Sequence, residues 1–154
     1  MRRALRMRSE RRQLMTAEAE VLGELRRLRA RVPQLTGALA ASTDGLVLAE
    51  EISGGGTDGS AGPGIEPEGI AALTAAALGV SLRLTDSTGQ GGFRELLIRG
   101  ERGYVATYAA GGSAVLTVLA EPRINVGRLH LEARRSGARI GELVDRALER
   151  RENA

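Results

Sequence analysis

"FRELLIRGERGYVATYAAGGSAVLTVLA", residues 93 to 120, holds three strand-length runs, 93–99, 104–110 and 114–120, separated by Gly-Glu-Arg-Gly and Gly-Gly-Ser. Turns that short join neighbouring antiparallel strands, so the stretch reads as a three-stranded meander. In the first run Phe93, Glu95, Leu97 and Arg99 alternate with Arg94, Leu96 and Ile98. Both faces therefore mix apolar and charged side chains, which suits an edge strand whose charges discourage indiscriminate pairing.

Upstream, "ALAASTDGLVLAE" (38–50) sets Asp44-Gly45 between two apolar runs. Asp-Gly predicts a two-residue type I′ hairpin turn, which needs positive φ at both positions. Thr43 then faces Leu46, Ala41 faces Leu48 and Leu39 faces Glu50. Both faces of this hairpin are largely apolar, so the five-stranded sheet is expected to be covered on both sides. Ser42, Thr43 and Asp44 have no neighbouring base to activate them and read as turn residues.

Three helices flank these strands. From Thr16 to Val32, Val21, Leu25, Leu28 and Val32 form one helical stripe, and Pro33 ends it. A second helix runs from about Pro67 to Thr85, and "IAALTAAALGVSL" (70–82) is apolar or small nearly all round. Ile70, Leu73, Ala77, Leu78 and Leu82 make one stripe, while Ala71, Thr74, Ala75 and Ser81 make much of another. Such a helix should be covered on more than one side. The third starts at Asn125, a favourable N-cap after Pro122, and runs to about Glu149 with Leu129, Ala133, Ile140, Leu143, Val144 and Ala147 inward. Gly137 and Gly141 each weaken it by about 1 kcal/mol against Ala, which points to close backbone approach. The order helix, hairpin, helix, meander, helix predicts an α+β fold. It is an α/β/α sandwich with the second helix on one face of an antiparallel sheet and the first and third on the other.

Composition narrows the function. The 154 residues contain no cysteine and no lysine, so thiolate chemistry, Schiff bases and the P-loop lysine are excluded. The lone histidine, His130, reads as a surface or half-buried helix residue. Glu50 and Glu51 are adjacent on a strand and point to opposite faces, so they do not converge on one reacting atom. Neither a catalytic residue nor a cofactor nor a metal is expected. Gly54, Gly56 and Gly59 match G-x-G-x-x-G without the strand-to-helix context that phosphate binding requires, so 53–64 reads as a Gly-rich loop.

Charge is uneven. Residues 1–31 carry ten Arg against four Glu, and residues 44–68 carry six acids and no base. Residues 1–15 are expected to be a flexible basic arm ahead of a domain at 16–150. An Arg cluster attracts phosphate non-specifically, but the chain's three aromatics, Phe93, Tyr104 and Tyr108, all lie in predicted strands and serve base stacking poorly. Nucleic acid or another acidic partner held by the arm is thus the alternative function rather than the leading one. No run approaches the roughly 20 apolar residues of a membrane span, and a cytoplasmic protein is expected.

The stretches "VPQLTGALAASTDGLVLAE" (32–50), "GIAALTAAALGVSLRL" (69–84) and 94–143, which closes on the "N-x-G-x-L" start of the last helix, resemble the roadblock/LC7 family, a profilin-like fold. The resemblance covers about residues 16–148, with the Gly-rich insertion and the basic arm as departures. It implies a non-enzymatic homodimer joined through the second helix and the edge strand of the meander. On this chain that interface is Ile70, Leu73, Thr74, Ala77, Leu78, Ser81, Phe93, Glu95 and Leu97. It also implies a platform for a small Ras-like GTPase, with a sensor histidine kinase as a further partner in bacterial signalling.

Overall fold

The structure, a computed structural model, describes residues 2–53 and 66–153. Gly54, Gly56 and Gly59, and with them most of the Gly-rich stretch, lie outside the described residues. The elements follow in the expected order: α1 (Arg2–Arg31), β1 (Leu35–Ser42), β2 (Val47–Ile52), α2 (Pro67–Ser87), β3 (Glu95–Gly100), β4 (Gly103–Ala110), β5 (Ala114–Ala120) and α3 (Val126–Glu152). The strands form one antiparallel sheet in the order β2-β1-β5-β4-β3, so the hairpin and the meander meet where β1 pairs with β5.

The pleat divides the core in two. Ala38 and Ala40 on β1, with Leu116 and Val118 on β5 and Ala106 and Tyr108 on β4, pack under Val21, Leu25 and Leu28 of α1 and Leu129, Ala133 and Ile140 of α3. Leu39 and Ala41 point the other way and meet Ala71 of α2. The expected sandwich is therefore present, with a thick side and a thin one.

Polar groups fix how α1 and α3 sit together. Glu24 is buried on α1, and its carboxylate accepts from Ser136 Oγ of α3 at 2.9 Å while lying 3.1 Å from Arg27 and 3.4 Å from Arg31. A buried carboxylate is tolerable only when paired in this way. At the start of α3 the Asn125 side chain accepts from the Arg128 amide at 3.0 Å, the expected cap.

Four details differ from expectation. The β1–β2 turn is a three-residue loop: the Gly45 amide donates to Ser42 O at 3.0 Å, and the Ser42 amide donates to Leu46 O at 2.8 Å. Only Gly45 has positive φ (95°), so Asp44 is spared the strain that a type I′ turn would impose. The Ser42 hydroxyl accepts from the Leu46 amide at 3.0 Å and bonds the Asp44 carboxylate, which favours the longer loop. Leu39 does face Glu50, but a bulge after Ala40 makes Ala41 face Val47 instead of Leu48.

The first helix begins at Arg2, well before Thr16, because residues 2–22 contain neither glycine nor proline and are rich in Arg, Leu, Met, Ala, Glu and Gln, all good helix formers. And α2, contrary to expectation, is long and apolar enough by composition to cross a membrane, at 21 residues. In this chain it lies on β1 and β2 and buries only a narrow strip.

Candidate functional site: the outer face of α2 and the free edge of β3

Helix α2 opens with Pro67 in its first turn, where a missing amide proton costs nothing. It docks by Ala71, Thr74 and Leu78, spaced three and four residues apart. Thr74 Oγ1 lies 3.3 Å from Thr117 Oγ1, which lies 3.2 Å from Thr107 Oγ1. This threonine chain satisfies the hydroxyls buried beneath the helix. The hairpin tip reaches the same helix, since a Cβ on Gly45 would stand 3.4 Å from Ala75 Cβ and 3.5 Å from Ala72 Cα.

The opposite face of α2 is apolar and uncovered. Leu73, Val80 and Leu84 are 73%, 60% and 60% exposed. With Ala77 between them they fall at spacings of four, three and four, a seam of the kind that packs against another helix.

Strand β3 is the second part of the site. Pairing with β4 occupies one edge only, so the N–H and C=O groups of the other edge have no strand partner among the described residues. Leu97 turns towards the main core, and Glu95 on the same face holds Arg134 of α3 through Nε at 2.8 Å and a second nitrogen. Leu96 and Ile98 turn to the α2 side, where Ile98 is 48% exposed.

The nine residues expected at an interface are thus spread over several environments. Leu73 is exposed. Ile70, Ala77, Ser81, Phe93, Glu95 and Leu97 are half-buried, while Thr74 and Leu78 lie under α2 against the chain's own sheet. The stripe Ile70, Leu73, Ala77, Leu78, Leu82 is not one surface, because α2 docks by Ala71, Thr74 and Leu78 and turns Leu73 outward. Sequence reasoning missed Val80, Leu84, Leu96 and Ile98. The alternation along β3 held the signal for Leu96 and Ile98, whereas on α2 the apolar residues on nearly every side hid it.

Elsewhere, polar residues that invite catalytic readings have structural partners. His130 Nδ1 lies 2.7 Å from the Tyr108 hydroxyl, with the two rings edge to face. Burial, reinforced by the nearby Glu95 charge, pushes the Tyr108 phenol up and keeps it neutral. The hydrogen bond from Arg134 holds the Glu95 carboxyl below the usual range. Glu51 pairs with Arg26 at 3.3 Å, whereas Glu50 accepts from the Ile52 amide at 3.2 Å, so the two carboxylates do turn apart. Ser42 and Asp44 line the rim of an apolar groove of about 520 Å³ between α1, the hairpin tip and the end of α3. A wider groove of about 880 Å³ runs past Phe93, Glu95, Arg134 and Asp145.

Known proteins share this architecture. A curated relative, the uncharacterized protein MJ0714 of Methanocaldococcus jannaschii, is 26% identical over 110 residues, covering 71% of this chain and 85% of its own. A solved MglB with a tetrameric arrangement superposes with a TM-score of 0.74 at 20% identity, covering 85% of this chain and 92% of its own. The Roadblock/LC7 domain from Streptomyces avermitilis gives 0.64 at 22% identity, covering 83% and 97%. The family model for the Roadblock/LC7 domain matches residues 21–120, from the first core residue of α1 to the end of β5. The chain belongs to the Roadblock/LC7 domain family.

Proposed function

We propose that this chain is a non-enzymatic, homodimeric regulator that presents a platform to a small Ras-like GTPase in the cytoplasm, with a sensor histidine kinase as a further partner. The single observation that carries this reading is the uncovered seam Leu73, Ala77, Val80, Leu84 on a helix whose other face is already docked. Each large aliphatic side chain left in water forgoes about 1.5–3 kcal/mol of burial. An identical seam on a second copy is the simplest cover, because a twofold contact joins the same surface to itself. About 800 Å² per partner suffices for a stable pair. The tetrameric arrangement of the similar MglB supports self-association, and membership in the family supports a GTPase as the partner.

Two measurements test the reading. Light scattering of the purified chain should give the mass of a dimer. Calorimetry with a Ras-like GTPase encoded beside it should give binding in at least one nucleotide state. A monomer at high concentration, or a dimer that ignores the GTPase in both states, overturns the corresponding half.

A further inference from the structure

We infer that the free edge of β3, the strand at which the family resemblance joins two copies, meets its counterpart in one register only, antiparallel about a twofold axis at Leu97, and that Glu95 and Arg99 are the residues that select it. The inference rests on the homodimer proposed above and adds which side chains meet across it. An unpaired edge is a template for any strand, so a chain that uses its edge must specify the right partner.

The register follows from the strand itself. A twofold axis perpendicular to the sheet keeps both α2 helices on the same side, so opposed residues come from the same face of the strand. Only registers centred on a residue satisfy that condition. Centred on Leu97, Glu95 faces the partner's Arg99 twice, Leu96 faces the partner's Ile98 twice, and Leu97 faces its own counterpart. Each of these oppositions is favourable, and beyond them Arg94 meets only Gly100. Centred on Leu96, the strand sets Glu95 against Leu97 and Arg94 against Ile98. Centred on Ile98, it sets Leu97 against Arg99 and Leu96 against Gly100.

Directly opposed Cβ atoms lie about 4.5–5.5 Å apart, within reach for a Glu–Arg pair. Arg99 is exposed and takes part in no ion pair among the described residues. Glu95 already bonds Arg134 through both oxygens. A carboxylate offers about four lone-pair sites, so it retains acceptors for a second guanidinium. The charges that make β3 a poor partner for an arbitrary edge make it a good partner for itself.

Charge reversal in the full chain tests this, read by sedimentation velocity over a concentration series. Glu95→Arg and Arg99→Glu should each weaken the dimer about tenfold or more, because each places two like-charge pairs across the axis. Mixing the two variants should restore dimer as a heterodimer with both pairs complementary, and the double variant should restore the homodimer. Circular dichroism controls for folding. Arg99→Glu removes no described intrachain partner and reads the register even where Glu95→Arg is destabilised. A dimeric wild type with unaffected single variants, or no recovery on mixing or in the double variant, overturns the register while leaving the dimer standing. A monomeric wild type overturns both.

Discussion

A Cβ on Gly141 would stand 2.5 Å from the backbone nitrogen of Gly111 and 2.8 Å from the carbonyl carbon of Ala110. These glycines let α3 cross the β4–β5 turn with backbone on backbone, and Gly137 does the same one turn earlier, where a Cβ would stand 3.1 Å from Ala109 O. Gly141→Ala should therefore destabilise the protein by about 1–3 kcal/mol, since neither backbone can step aside. Gly79, in the middle of α2, has nothing within 4 Å of its would-be Cβ. There the same substitution should stabilise by roughly 0.5–1 kcal/mol. Paired denaturant titrations give both signs, and a neutral Gly141→Ala would show that the helix can lift off the sheet.

The two α2 leucines separate folding from association. Leu78 is only 7% exposed and faces the sheet, so Leu78→Arg buries an unpaired charge and should cost about 3–5 kcal/mol, enough to unfold much of the population. Leu73 faces outward. Leu73→Arg should leave the circular dichroism spectrum unchanged while the mass by light scattering falls to that of a monomer. If Leu73→Arg stays dimeric, the seam on α2 is not the joint.

How much of this was legible in the sequence depended on where each signal was stored. The element order, the Asn125 cap and the Gly137/Gly141 crossing are local: each is a residue type at a position that only certain backbones accept. The facing of α2 was not legible, because a helix apolar on nearly every side has no contrast from which to read its orientation. The choice of Ala71, Thr74 and Leu78 as the docked strip is made by the fit of small side chains against the sheet and by the hydroxyl of Thr117, which lies 43 residues away in the chain. The Asp-Gly turn failed for a related reason: the Ser42 hydroxyl competes for the Leu46 amide and lengthens the loop, an interaction that the dipeptide does not encode. On β3 the alternation was plain, but which face met α3 was settled by Glu95 finding Arg134.

That same pair gives a pH dependence. The hydrogen bond from Arg134 lowers the Glu95 pKa from its ordinary 4.5. A carboxyl depressed in the folded state contributes stability that is complete above the unfolded value and fades as pH falls through the folded one. Stability carried by Glu95 should thus be intact above about pH 4.5 and decline below it. The Arg134 side chain is largely exposed, so solvent screening keeps the effect small. Glu95→Gln should flatten the acid limb of a plot of urea midpoint against pH between 6 and 3, without altering the limb above it. An unchanged acid limb would mean the ion pair contributes nothing.

Residues 2–15 continue α1 as helix, yet the core engages α1 only from Val21. Removing them should change stability by less than about 0.5 kcal/mol and leave the mass in solution unaltered. Six Arg and one Glu lie in this stretch, with no acid in the first helical turn to oppose the positive end of the helix. Any affinity of the full chain for duplex DNA should then come from this segment alone. It should be indifferent to sequence and fall with log salt at a slope of about −5, the value for six neutralised phosphates. Tyr108 is buried and bonded to His130, so no stacking contribution is expected from it. Fluorescence anisotropy with and without residues 2–15 at two salt concentrations decides the matter: tight, salt-insensitive or sequence-selective binding would make the basic helix, rather than the α2 face, the working surface of the protein.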